Sequence, residues 1–202
     1  MTDTLPLFTA GLGQAPDWCE LEFFEIIHSL NTRQEFQRRS PREMLFVGQG
    51  NSKIAINSSQ ILDFKGDFLE FPDSYRSWAI EPGIDQIVIW LGGLWQDPRG
   101  GCGVFTLGPS GDAMNKGTPV DYNRNTRFDN HYHDCDEYWI IFQGKGTVVS
   151  EQVIYQVAPG DCVATRMGDH HDFPWVNDKI HGVYFETTMR GKQRGGHHWI
   201  LP

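Results

Sequence analysis

The chain has 202 residues and a formal net charge of −9, with 26 Asp and Glu against 17 Lys and Arg. That balance argues against nucleic acid as a partner, since phosphate binding needs clustered Lys and Arg. The length allows one domain or two small ones, and an aromatic content of 13% is enough for a packed core.

Residues 1–16 lack the basic start and apolar core of a signal peptide. No apolar run approaches the ~20 residues that span a bilayer, so no membrane partner is expected. Cys19, Cys102, Cys135 and Cys162 form no CxxC pair and no disulfide-dense pattern, which fits a reducing cytoplasm. Cys135 reads as a turn-tip thiol, with sulfur ligation as the alternative.

In chain order, residues 33–42 are basic, but their alternation with apolar and polar residues reads as a solvated strand face. Composition alone would also permit a helix over 32–43. Met44-Leu45-Phe46-Val47 reads as a buried strand ending at Gly48-Gln49-Gly50, and short strands are expected at 53–56, 61–64, 68–71 and 86–91. Gly and Pro punctuate the chain throughout. Many short strands with frequent turn signals indicate an all-β sandwich or barrel.

An internal repeat emerges at an offset of 94 residues, which places Glu43 on Glu137 and Gly50 on Gly144. The same offset places Gly66-Asp67 on Gly160-Asp161 and Ile87-Val88-Ile89-Trp90 on His181-Gly182-Val183-Tyr184. Phe8-Thr9 matches Phe105-Thr106 with a small gap. The expected halves are 1–98 and 99–202, joined through the Gly/Pro-rich segment 96–103.

The stretch His131-Tyr132-His133-Asp134-Cys135-Asp136-Glu137 is the richest in chemistry. Two histidines two apart share one face of an extended strand. A tight turn at 134–136 would let Glu137 open a returning strand, bringing two imidazoles and a carboxylate to one divalent metal. Gly168-Asp169-His170-His171 offers a further histidine.

These residues resemble the cupin superfamily, whose first motif is His-x-His, three residues, Glu, six residues, Gly. His131, His133, Glu137 and Gly144 match it without a spacing error, and Gly160, Gly168 and His171 fit the second motif. Arg166 stands where that motif usually has proline, and no glycine lies six residues before His131. The resemblance implies a double-stranded β-helix, the jelly-roll cupin barrel, here as two tandem barrels. It implies one divalent transition metal (Fe, Mn, Zn, Ni or Co) held by His131, His133, Glu137 and His171. His170 competes with His171 for the last place and is otherwise a general-base candidate. In the first half Gln37, Arg39 and Ser77 stand at the histidine positions, so that half reads as structural.

Around the metal, Arg127 and Asp129 are in phase with His131 and His133, and Arg166 is placed to grip a carboxylate or phosphate. Trp139, Phe173 and Trp175 are in phase with ligands and form an expected aromatic wall for a sugar ring or flat aromatic substrate. Tyr132, Tyr138, Tyr184 and Glu186 are unplaced acid/base candidates. His197 and His198 read as an exposed tail. The first expectation is a metal-dependent isomerase or epimerase of a sugar or sugar acid. The alternatives are an Fe(II)-dependent dioxygenase acting on an aromatic or diketone-like molecule, and a non-enzymatic small-molecule sensor. A homodimer through strand edges is compatible with all three.

Overall fold

A computed structural model describes residues 7–9, 15–56, 60–64, 68–111 and 117–199, with 7–9 and 60–64 described as backbone only. Every regular element among them is a strand, and no helix is long and apolar enough to cross a membrane. Strand β1 (Leu7–Thr9) opens the chain. The chain forms two compact units, Glu20–Trp95 and Gln96–Pro202, the latter together with the chain up to Cys19. The expected boundary at 98/99 thus becomes 95/96, and the N-terminal segment goes with the second unit.

The first unit contains β2 (Leu21–His28), β3 (Gln34–Gln37), β4 (Arg42–Gln49), β5 (Ser52–Ile56), β6 (Gln60–Phe64), β7 (Phe68–Glu70), β8 (Ser77–Ile80) and β9 (Ile87–Gly93). They form two antiparallel sheets, in the orders β2-β9-β4-β7 and β3-β8-β5-β6. Its core holds Leu45, Ile54, Tyr75, Trp78 and Trp90. Strands β2 and β8 fall outside the sequence expectations, and residues 33–42 resolve into β3 and the start of β4, not a helix.

The second unit contains β10 (Cys102–Leu107), β11 (Glu137–Gln143), β12 (Gly146–Ser150), β13 (Val153–Val157), β14 (Asp161–Thr165), β15 (His171–Val176) and β16 (Ile180–Glu186). Its sheets run β1-β14-β11-β16-β10 and β13-β12-β15. With β1 set aside, β10-β16-β11-β14 repeats β2-β9-β4-β7, and β15-β12-β13 repeats β8-β5-β6. Gln37 pairs with Ser77 in the first unit, and His131 bridges His171 at the corresponding place in the second.

The turns agree as well. Gly50 and Gly144 both have positive φ, 70° and 86°. A Cβ there would lie 2.7 Å from the Asp85 carbonyl oxygen in one unit and 2.2 Å from that of Lys179 in the other. Only glycine fits such a turn without strain. Gly66-Asp67 lies outside the described residues. The match of Phe8-Thr9 with Phe105-Thr106 fails, because β10 is the counterpart of β2, whereas β1 is an added edge strand on β14.

Candidate metal centre

The register of the five-stranded sheet builds one wall. Glu137 lies opposite Thr165 and Glu186, and Trp139 lies opposite Val163 and Tyr184. Directly paired residues share a face, so Glu137, Trp139, Tyr184 and Glu186 all face the interior. Next along the sheet, Gly103 pairs with Tyr184 and Phe105 with Gly182, which adds Phe105. From the other sheet come His171 and Phe173.

The expected hairpin does not form. His131 bridges His171 and Tyr132 bridges His198, and residues 134–136 carry the chain across to β11 in the other sheet. Three histidines and the glutamate still meet, because β15 lies beside the His131 segment while β11 faces it. His131, His133, Glu137 and His171 are all buried, with one donor atom from each within 4.8 Å of the others. The His131 and His133 Nε2 atoms are 3.0 Å apart. Glu137 Oε2 lies 2.7 Å from His171 Nε2 and 3.3 Å from His133 Nε2.

The outer face of each ring is fixed by a carbonyl. His131 Nδ1 donates to the Asp129 carbonyl at 2.8 Å, His171 Nδ1 to that of Asp169 at 3.1 Å, and His133 Nδ1 to that of Gly196 at 3.1 Å. With every Nδ1 engaged, the three Nε2 atoms converge on the Glu137 carboxylate, the arrangement in which outer partners orient metal-ligating imidazoles. This group of side chains can hold a divalent metal.

Its electrostatics follow from burial and from Glu137. Burial, with His171 close by, drives His131 down to about 2. Burial would lower His133 too, but the Glu137 carboxylate outweighs it and lifts that imidazole to about 9. Burial opposes the charge on Glu137 itself, yet His133 and His171 hold it well below the usual carboxylate range. Cys135 lies outside the group, its thiol 3.8 Å from a Glu186 oxygen, and burial raises its pKa.

Glu137 opens onto a cavity of about 570 Å³, walled by Phe105, Phe128, Trp139, Phe173 and Tyr184 and rimmed by Arg99, Glu186 and His197. Trp139 and Phe173 are therefore in the wall as expected, but Trp175 is 42% exposed. A register shift between Thr147 and Val149 puts an extra residue in β15. Such a bulge reverses the alternation, so Val176 turns inward and Trp175 outward.

Arg127 is exposed and bonds Ser110 at 3.0 Å, since its segment is not a regular strand and Phe128 takes the inward place. Arg166 is exposed on the turn after β14, its carbonyl accepting the Asp169 amide. His170 lies in a separate groove with Tyr122, Val149 and Glu151. Neither Arg127, Arg166 nor His170 lines the aromatic cavity. Tyr132, facing away from the ligands as alternation requires, packs at a tilt against His170 and His198.

Asp129 supports the site from outside the cluster. Its carboxylate accepts from His197 Nδ1 at 3.1 Å and Trp199 Nε1 at 2.6 Å. Those two bonds hold it below the usual range although burial opposes its charge. His197 stacks on His131 with centroids 3.6 Å apart and planes 1° from parallel. The supposed tail is thus part of the site, anchored by two backbone bonds between Tyr132 and His198 and by Arg194, which bonds both oxygens of Asp134. No periodicity in 189–199 signals this. Tyr184 and Glu186, by contrast, follow from their phase in β16.

The fold is that of a cupin barrel. AerE from Microcystis aeruginosa superposes with a TM-score of 0.56 at 12% identity, over 81% of this chain and 85% of that one. A single-residue mutant of Bacillus subtilis oxalate decarboxylase OxdC superposes at 0.52 and 10% identity, over 83% and 69%. At such identities the likeness shows the fold, that of the cupin superfamily. No family model matches the chain. It is 38% identical over 198 residues to the uncharacterized protein y4oW of Sinorhizobium fredii (strain NBRC 101917 / NGR234), spanning 96% of this chain and 90% of that protein. The chain belongs to the y4oW family.

Proposed function

We propose that the chain is a mononuclear metal-dependent cupin enzyme that oxygenates a small, flat, largely apolar molecule. One observation carries this reading: the Glu137 carboxylate, met by three imidazoles, opens onto a cavity lined by five aromatic rings, those of Phe105, Phe128, Trp139, Phe173 and Tyr184. His131, His133, His171 and Glu137 would hold the metal, which as Fe(II) supplies Lewis acidity and redox chemistry with O₂. The chain's own residues then orient and shield. Trp139 and Phe173, stacked at 5.6 Å, form a flat face for a planar substrate. Phe128, edge-on to Trp139 at 5.2 Å, narrows the space and excludes water. His197 covers the outer face of His131 and keeps that ring in place.

A second reading is an isomerase or epimerase acting on a sugar or sugar acid. Glu186 favours it, as a carboxylate in the cavity lining able to bind hydroxyl groups. The arginines expected to serve that role, Arg127 and Arg166, do not line the cavity, which places this reading second.

Metal analysis of protein purified without added metal, beside a His131→Ala/His133→Ala variant, tests the common premise. About one equivalent, lost in the variant, is expected. Oxygen uptake by the Fe(II)-loaded protein with a panel of aromatic compounds then separates the readings. Substrate-dependent uptake supports oxygenation, and conversion without uptake supports isomerisation. A tightly held molecule returned unchanged would instead support a sensor.

A further inference from the structure

Resting on the metal-enzyme reading, we propose that the cavity takes an uncharged aromatic ring bearing a hydroxyl, with Glu186 as the specificity-determining residue that accepts the hydroxyl's hydrogen bond. Strand β16 runs antiparallel to β11, with Glu186 opposite Glu137 and Tyr184 opposite Trp139. Directly paired residues share a face, and the two pairs lie about 7 Å apart along the strands. All four residues line the same cavity as Phe128 and Phe173. A ring resting on Trp139 and Phe173 therefore directs a substituent on its edge toward the neighbouring pair, where the two carboxylates stand.

One oxygen of Glu186 is held by the chain and the other is left for a ligand. Oε2 accepts the Gly101 amide at 2.7 Å and lies 3.8 Å from the Cys135 thiol. Oε1 has no hydrogen-bond partner among the described residues. His133 Nδ1 stands 3.9 Å from it and already donates to the Gly196 carbonyl. Glu186 is buried, and a buried acceptor without a donor is costly, so a ligand hydroxyl relieves that cost. Glycines keep the approach open. A Cβ on Gly100 would lie 2.1 Å from Oε2, and one on Gly101 would lie 3.6 Å from Oε1 and 3.4 Å from Tyr184 Cε2. A longer side chain at 101 would cover the carboxylate. The charges match an uncharged donor as well. Imidazoles are neutral when they ligate a metal, so a divalent ion and the Glu137 and Glu186 carboxylates sum to zero.

Titration calorimetry of the full chain loaded with Zn(II), which has no redox chemistry of its own, tests this with 4-methylphenol and its methyl ether, 4-methoxytoluene. The ether keeps the ring and the oxygen but cannot donate. The phenol should bind at least about tenfold tighter, the scale of a charge-assisted hydrogen bond. In Glu186→Gln only the amide oxygen can accept from Gly101, so the NH₂ group replaces the free acceptor and donates equally well to either ligand oxygen. The preference should vanish. Equal affinity of phenol and ether in the unmodified protein overturns the proposal, as does a folded Glu186→Gln that keeps the preference, which would then come from ligand bulk or from the metal. Should Glu186→Gln fail to fold, Glu186→Asp replaces it. That change withdraws the carboxylate by one methylene, so a several-fold loss of preference is expected and full retention overturns the proposal. A Glu186-dependent preference in a chain that retains no metal would sustain this subsite and defeat the metal-enzyme reading. A metal-loaded chain without the preference would do the reverse.

Discussion

Glu43 and Glu137 occupy the same place in the two units, and their surroundings differ in kind. The Glu43 carboxylate accepts the backbone amides of Arg39 at 2.5 Å and Ser40 at 2.7 Å, the indole of Trp90 at 2.8 Å and the hydroxyl of Tyr75. Rings fill the space beside it, with Trp78 stacked on Phe36 at 4.3 Å and edge-on to Trp90 at 5.3 Å. Around Glu137 stand imidazole Nε2 atoms and an open cavity. At the corresponding histidine positions Gln37 and Arg39 are exposed, Arg39 lying with its guanidinium 4.0 Å from the Phe23 ring centre. One barrel has been spent on packing and the other on a site. A buried carboxylate met by neutral donors that saturate it is a piece of core, whereas one met by imidazoles whose other nitrogens are already engaged is poised for a cation.

The largest expected contrast is in stability. Glu43→Ala would leave two amides, an indole and a phenol buried without their acceptor, so it should lower the unfolding free energy by roughly 3–5 kcal/mol in urea titrations. Glu137→Gln keeps the shape of the side chain and removes only the charge that His133 pairs with, so it should cost the metal-free protein less, about 1–3 kcal/mol near neutral pH, yet lose the bound metal. Similar losses of stability from both substitutions would erase the distinction between the two carboxylates.

The next contrast is in protons. In the metal-free protein His133 is held up at about 9 and His131 down at about 2. At pH 7.5 a metal must therefore displace the proton on His133, whereas His131 has none to give. Calorimetry in buffers of different ionisation enthalpy should find about one proton released from His133 per ion bound. The linkage has a definite sign. A folded-state pKa raised above the unfolded value of ~6.5 stabilises fully below that value, and the benefit is lost as pH rises through about 9. The melting temperature of the metal-free protein should fall between pH 7 and 10, and metal should remove much of that dependence. A flat profile for the metal-free protein would contradict the His133–Glu137 pairing.

The smallest effect concerns the strap over the site. Arg194 bonds both oxygens of Asp134, and this pair holds Asp134 down at about 2. Arg194→Ala should speed amide exchange at Tyr132 and His198, whose mutual bonds close the strap, with little change in the exchange of β4 or β9. Unchanged exchange at those two amides would show that the strap is held elsewhere.

Much was legible in the chain. The match to the cupin motifs named His131, His133, Glu137 and His171, which the structure brings together, because a two-residue period and a turn glycine are local properties; the hairpin that spacing suggested for the first three does not form. The offset of 94 residues foretold a repeated strand order and the paired glycine turns, since a duplicated sequence keeps its hydrophobic pattern and its special backbone positions. Tertiary structure decided the rest. A bulge in β15 turned Trp175 outward, and an irregular approach to His131 sent Arg127 outward and Phe128 inward; alternation predicts neither, because it assumes a regular strand. Arg99, Glu186 and His197 came to the site through cross-strand register and a non-periodic strap, contacts distant in sequence. Local pattern determined which side chains could be ligands, and long-range pairing determined what surrounds them.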